Sequence, residues 1–205
     1  MGNPYIRFKR LKKEAILQNV ARACLAPSMI RIFRKGAKEL LHQFLLKAGR
    51  DRHLIAAKSQ LAFDRALGVW IRKFPRKIRR SKGKVTYGHK AKVLDVFLKE
   101  LVERRHGLPA AQARNIEQWL HVPIDSLVHE YFWDRNKGFC RVVKKECEAL
   151  TERNTRLAVL EKNEYKCLQE FLRKQARAAH TEPIWLDYWA WSVRKEDRGR
   201  HRVMD

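Results

Sequence analysis

Cysteine is scarce in this chain: Cys24, Cys140, Cys147 and Cys167 are the only four in 205 residues, and none stands in a CxxC pair. The spacing therefore predicts neither a zinc site nor a disulfide framework. Glycine (9) and proline (6) are also few, which excludes a sandwich or barrel built on many tight turns. No apolar run approaches the ~18 residues of a membrane span. Ile6 stands where a myristoylation signal has Ser or Thr, so a cytoplasmic protein with no membrane partner is expected. The acid-poor, Arg-rich first forty residues also fit an organellar transit peptide. Acidic residues are rarest of all near the start, with 4 Asp+Glu against 23 Lys+Arg in residues 1–84.

What is abundant is positive charge. The whole chain has 46 Lys+Arg against 22 Asp+Glu, a net of +24, of which residues 85–205 contribute only +5. With 45% hydrophobic residues there is enough apolar material for a core, so this is no disordered basic tail. A field so one-sided attracts polyanions and releases condensed counterions when Lys and Arg meet phosphates. The densest run is Arg72, Lys73, Arg76, Lys77, Arg79, Arg80, Lys82 and Lys84, and no acid lies between Ile71 and Lys84. Phe74 and Ile78 interrupt it with apolar side chains, which favours an ordered nucleic-acid-binding surface over a ribosomal or anionic-membrane contact. DNA is the expected partner, with RNA as the alternative, in a nucleoid-associated setting that admits protein partners in a nucleoprotein complex.

Hydrophobic periodicity predicts an all-α chain: a compact multi-helix fold, with two helical lobes around a basic cleft. Helices are expected over 5–24, from Pro27-Ser28 through Leu46, over Leu54–Phe74 up to Pro75, and over His89–Arg105, the last apolar around most of its circumference and so central. Further helices are expected before His121, from the Asp125-Ser126 cap through Trp133, over 142–151, and over 163–179. The glycine-bearing basic stretch 79–88 reads as a hinge. It divides a strongly basic lobe, 1–84, from a second helical lobe, 85–193, and a frayed polar tail, 194–205. Trp185, Tyr188, Trp189 and Trp191 cluster within seven residues and are expected to pack across the core.

Two segments carry the candidate chemistry: Tyr87-Gly88-His89-Lys90-Ala91-Lys92-Val93-Leu94-Asp95 and His121-Val122-Pro123-Ile124-Asp125-Ser126. Together they resemble the helix-hairpin-helix DNA glycosylase superfamily, with a spacing closest to its archaeal 8-oxoguanine branch. In that superfamily a glycine-bearing hairpin leads into a helix with a catalytic Lys, and a later Val-Pro-(Val/Ile)-Asp motif supplies a catalytic Asp. The resemblance covers about forty residues and implies Lys92 as nucleophile, Asp125 as its carboxylate partner, and a phosphate-facing turn at Gly88. The second glycine of the hairpin is replaced here. The family's iron-sulfur branch ends in Cys-x6-Cys-x2-Cys-x5-Cys; Cys140 and Cys147 have the first spacing, but Leu150 and Arg156 occupy the remaining places. No cluster, metal or other cofactor is therefore expected.

The chemistry of such a pair follows from its parts. An amine attacks the sugar C1′ only when unprotonated, so Lys92 has to be held below the usual ~10.4, by burial or by cations such as Lys90. A carboxylate beside it accepts the proton or stabilises the cationic sugar. The target base is then everted from the duplex, with the Trp-rich segment a candidate wall. Two other functions fit the same composition. One is a ribonuclease of the all-helical HEPN type, with Arg114 and His121 or Arg173 and His180 as its Arg–His pair. The other is a noncatalytic nucleic-acid-binding subunit of a larger assembly, for which charge alone suffices.

Overall fold

The computed structural model describes residues 4–103, 108–133, 150–151, 153 and 155–201. Among them are ten helices and no strand: α1 (Pro4–Cys24), α2 (Pro27–Ile30), α3 (Ala37–Arg50), α4 (Arg52–Ile55), α5 (Gln60–Arg72), α6 (Tyr87–Glu103), α7 (Ala110–Glu117), α8 (Ser126–Trp133), α9 (Lys162–Ala178) and α10 (Ile184–His201). The fold is mostly α, as the periodicity predicts. The helix expected over 142–151 falls almost entirely outside the described residues.

Two expected helices are each broken in two. The segment predicted from Pro27 through Leu46 stops at Ile30 and restarts at Ala37. Phe33, between the two pieces, is buried and pairs as an isolated antiparallel bridge with Arg80, and Gly36 turns the chain at φ +89°. That conformation suits a residue without a Cβ. The segment predicted over Leu54–Phe74 is divided by Ala56–Ser59. Ser59 Oγ accepts the N–H of Ala62 at 3.2 Å and caps α5, while Asp51 Oδ1 accepts the N–H of His53 at 2.9 Å and caps α4. Hydroxyl and carboxylate oxygens so placed satisfy amides that the helix cannot.

The chain divides into two compact units, Met1–Val85 with Val93–Trp119, and Thr86–Lys92 with Leu120–Asp205. The first has its core where α3, α5 and the body of α6 bury Leu41, Leu45, Phe63, Leu67, Leu94, Phe97 and Leu98. Gly49 lets α3 approach closely, since a Cβ there would stand 2.5 Å from Leu17 Cδ1 and 2.9 Å from Phe97 Cζ. Phe44 meets Trp70 and Phe74 edge-on, with centroids 5.7 and 5.4 Å apart. Cys24 is a buried free thiol that donates to Ala21 O at 3.3 Å. Burial, and then the charge of Glu100, push its ionisation far above the ordinary thiol range.

The second unit is organised on α9, whose inner face carries Tyr165, Leu168, Gln169, Phe171, Leu172 and Ala176. α10 packs against α8 and α9 through Ile184, Leu186, Asp187 and Ala190, all buried. Here the structure corrects the expected aromatic core: Trp185, Trp189 and Trp191 are 48%, 54% and 45% exposed. Helical spacing turns the smaller residues inward and these three outward, where Trp185 stacks with Tyr188 at 5.1 Å. The cysteine expectation is corrected as well, because Cys167 on α9 is disulfide-bonded. Disulfide geometry requires two Cα atoms to approach in space, which sequence spacing does not report.

Candidate active site and basic surface

Lys92 and Asp125 come together in the second unit, with Lys92 Nζ 3.8 Å from Asp125 Oδ2 and each side chain about 15% exposed. Neither is sealed behind packed neighbours, and the distance is that of an ion pair rather than a direct hydrogen bond.

The first turn of α6 presents the lysine. Thr86 is its N-cap: Oγ1 receives the N–H of His89 at 3.4 Å and donates to Leu157 O at 2.8 Å. His89 Nδ1 lies 3.3 Å from the Thr86 N–H and 2.5 Å from its hydroxyl, so histidine takes the place that Glu or Gln holds in a capping box. Gly88 is buried, gives its N–H to Leu160 O at 2.8 Å, and would bring a Cβ within 2.9 Å of Leu160 Cβ. This glycine, expected at a phosphate-facing turn, serves close packing of the first turn against 157–160. Lys92 follows one turn later. Lys90, expected to supply a neighbouring cation, stands two residues from Lys92, a spacing that puts the two on different sides of a helix.

The carboxylate is held by its own helix and by α9. Asp125 Oδ1 accepts the N–H groups of Leu127 and Val128, each at 2.9 Å, while Oδ2 turns to Lys92. One oxygen thus caps α8 and the other faces the amine, with the positive end of the helix dipole favouring the carboxylate. The segment before it is buried through Val122, Pro123 and Ile124. Gln169 clamps it with two bonds to Val122, accepting from N at 2.9 Å and donating to O at 2.8 Å. Sequence reading missed this buried glutamine, whose only signal was a polar residue on the apolar face of α9.

His121 is also buried. Arg173 Nη2, which can only donate, lies 2.9 Å from Nε2, so Nε2 is the acceptor. The proton of the neutral ring then sits on Nδ1 and is given to Tyr165 Oη at 2.7 Å. Of the residues weighed for a ribonuclease, His121 is thus engaged by Arg173 rather than by Arg114, which is exposed on α7. His180 is exposed at the C-terminal end of α9, at φ +53°.

The basic run lies in the first unit. Arg72, Lys73, Arg76, Lys77, Arg79, Lys82 and Lys84 are exposed and Arg80 is half-buried, while Phe74 and Ile78 anchor the segment in the core. Lys73 Nζ sits 4.9 Å above the Trp70 ring, and Arg80 Nη1 donates to Lys84 O at 3.2 Å. The run is joined to a second basic segment that sequence reading did not single out, Arg31 to Lys35. Arg34 N donates to Arg79 O at 2.9 Å, Ser81 N to Ile32 O at 3.2 Å, and Arg34 Nε to Arg80 O at 3.1 Å. Arg31, Arg34 and Lys35 are exposed beside it. Among the described residues, Arg72, Lys73, Arg76, Lys77, Arg79, Arg80 and Lys82 form no salt bridge.

Among the described residues no group of three or more His, Cys, Asp or Glu is placed to hold a metal ion, and no helix is long and apolar enough to cross a membrane. The chain matches no known protein family, no curated protein and no solved structure.

Proposed function

We propose that this chain binds DNA through the basic segments 31–35 and 72–84 and excises a base, as a glycosylase or glycosylase/lyase, with Lys92 as nucleophile and Asp125 as its proton-accepting partner. The observation that carries the reading is the convergence of these two side chains at 3.8 Å with both partly open to solvent.

Bound DNA excludes water from the pair, which costs the separated charges more than the neutral pair and favours transfer of the Nζ proton to Asp125 Oδ2. The Nζ lone pair then forms a bond to C1′ while the N-glycosidic bond breaks and its electron pair departs with the base. The base takes up the proton held by Asp125. A proton passes from Nζ to O4′ as the C1′–O4′ bond opens, leaving an iminium between Lys92 and C1′. Water releases the lysine by hydrolysis; loss of a 2′ proton and departure of the 3′ phosphate gives the lyase outcome instead.

Borohydride reduction of the iminium on a panel of damaged and modified duplexes tests this. A covalent protein–DNA adduct is expected with the native chain and none with Lys92→Gln. Asp125→Asn should lower trapping by about 10²- to 10⁴-fold, the range of a positioned proton acceptor. An adduct that persists in Lys92→Gln overturns the assignment. The cations of residues 72–82, which form no salt bridge among the described residues, favour a second reading, a noncatalytic nucleic-acid-binding subunit. That reading predicts salt-dependent binding with no adduct on any duplex and indifference to Asp125→Asn.

A further inference from the structure

A cavity of about 590 Å³ in the first unit is independent of the Lys92 site. It is lined by Arg22, Leu25, Gly36, Lys38, Glu39 and His42, together with two glutamines. Its walls follow from helical spacing. Gln18 and Arg22 stand four apart on α1, and Lys38 and His42 stand four apart on α3, the helix that packs against α1. Leu25 is buried and adds an apolar wall.

Three features of this cavity suit an anion. First, α3 begins at Gly36, which offers no side-chain oxygen as a cap. The N–H of Ala37 goes to Arg34 O, but among the described residues no side-chain cap serves the next amides, those of Lys38 and Glu39, at the positive end of a 14-residue helix. Second, His42 is only 8% exposed and its Nε2 has no hydrogen-bond partner, a cost that a bound acceptor removes. Third, Arg22 and Lys38 are exposed cations on the rim with no salt bridge among the described residues. The opposing charge is Glu39, whose carboxylate accepts from Gln43 Nε2 at 2.9 Å. The other lining glutamine, Gln18, donates to Glu14 at 3.3 Å.

We propose that this cavity binds a phosphate monoester carried on a small, partly apolar body of mononucleotide size. The phosphate meets the first-turn amides of α3, Arg22 and the Nε2–H of His42, and the body lies along Leu25. Helix N-termini bind phosphate through their amides and dipole, and the volume falls within the range of small-ligand pockets, about 300–1,000 Å³. A free nucleotide and the 5′-phosphate end of a strand present the same chemistry.

Calorimetric titration of the full chain at constant ionic strength tests the site with four probes: inorganic phosphate, adenosine monophosphate, a 5′-phosphorylated oligothymidylate and its 5′-hydroxyl counterpart. Saturable one-to-one binding of a phosphomonoester probe is expected, weakened about tenfold or more in Arg22→Gln and in His42→Phe, as loss of a charge-assisted hydrogen bond requires. Lys58→Gln removes one exposed charge elsewhere on the same unit and should leave the affinity unchanged. Preference for the mononucleotide identifies a free ligand; preference for the phosphorylated over the hydroxyl strand identifies a strand end. The proposal is overturned if no phosphomonoester binds saturably, or if Arg22→Gln and Lys58→Gln weaken binding equally, since a diffuse field would then suffice. Because His42 is buried, His42→Phe is read only alongside Arg22→Gln, whose side chain is exposed.

Discussion

Asp125 holds two jobs on two oxygens, and the two can be separated. Asp125→Ala removes the α8 cap as well as the carboxylate and should cost about 1 kcal/mol of stability, while Asp125→Asn keeps a capping oxygen and should stay near the native midpoint in urea. Equal midpoints for the two variants would show that Oδ1 does not stabilise the helix. Cys24 makes a second residue-scale prediction. Its thiol is raised from an ordinary 9.0 by burial and by Glu100. The unfolded chain therefore ionises first, and stability should fall as pH rises above that ordinary value, by about 1.4 kcal/mol per pH unit relative to Cys24→Ala. Below it both states carry the proton and the two proteins should differ by no pH-dependent amount. A parallel pH profile for native and Cys24→Ala chains would remove the argument. The cap at Asp125 was legible in the Asp125-Ser126 pair and its carboxylate role was implied by the resemblance, but the Cys24 shift was not legible, because Glu100 is distant in sequence.

Among the elements, the first turn of α6 is the most constrained part of the candidate site. Thr86 and Gly88 tie it to residues 157–160, His89 closes the cap on Thr86, and Lys92 projects from the turn that follows. Gly88→Ala drives a Cβ into the Leu160 side chain and should destabilise by about 1–3 kcal/mol, read as a lower urea midpoint. A variant as stable as the native chain would mean the turn is free to shift. The starts of α5, α6 and α8 are local, since Ser59, Thr86 and Asp125 cap them with their own oxygens, but only the Asp125 cap was read from the sequence; the helices themselves were legible through their apolar periodicity. The interruption at 31–36 was not. Phe33 leaves the helix to pair with Arg80, a contact no window of a dozen residues contains. The outward face of α10 was misread for a related reason: tryptophan is large and apolar, but Ile184, Leu186 and Ala190 already supply that helix's buried surface.

For the whole molecule, charge is the dominant property. Residues 1–84 carry a net +19 of the total +24, and the cations of 72–82, exposed but for the half-buried Arg80, form no salt bridge among the described residues. If they hold phosphates, the slope of log K against log salt should shallow by about 0.9 for each contact removed in the triple variant Arg72→Gln, Lys77→Gln, Lys82→Gln on duplex DNA. An unchanged slope would assign DNA binding to other residues. The measurement is independent of Lys92, so it tests the binding surface by itself, while the borohydride adduct separates a protein that only binds from one that also cuts.

Composition and periodicity by themselves determined that the chain is helical and that its positive charge gathers in one stretch, since both are properties of neighbours along the backbone. Only the tertiary structure decided which charges meet. Lys92 reaches Asp125 because Gln169 holds the loop at Val122 while 157–160 holds the start of α6; Arg31–Lys35 joins the basic run because Phe33 pairs with Arg80. In each case contacts between residues far apart in the chain set the geometry, and periodicity along one helix carries no information on which distant segment will meet it.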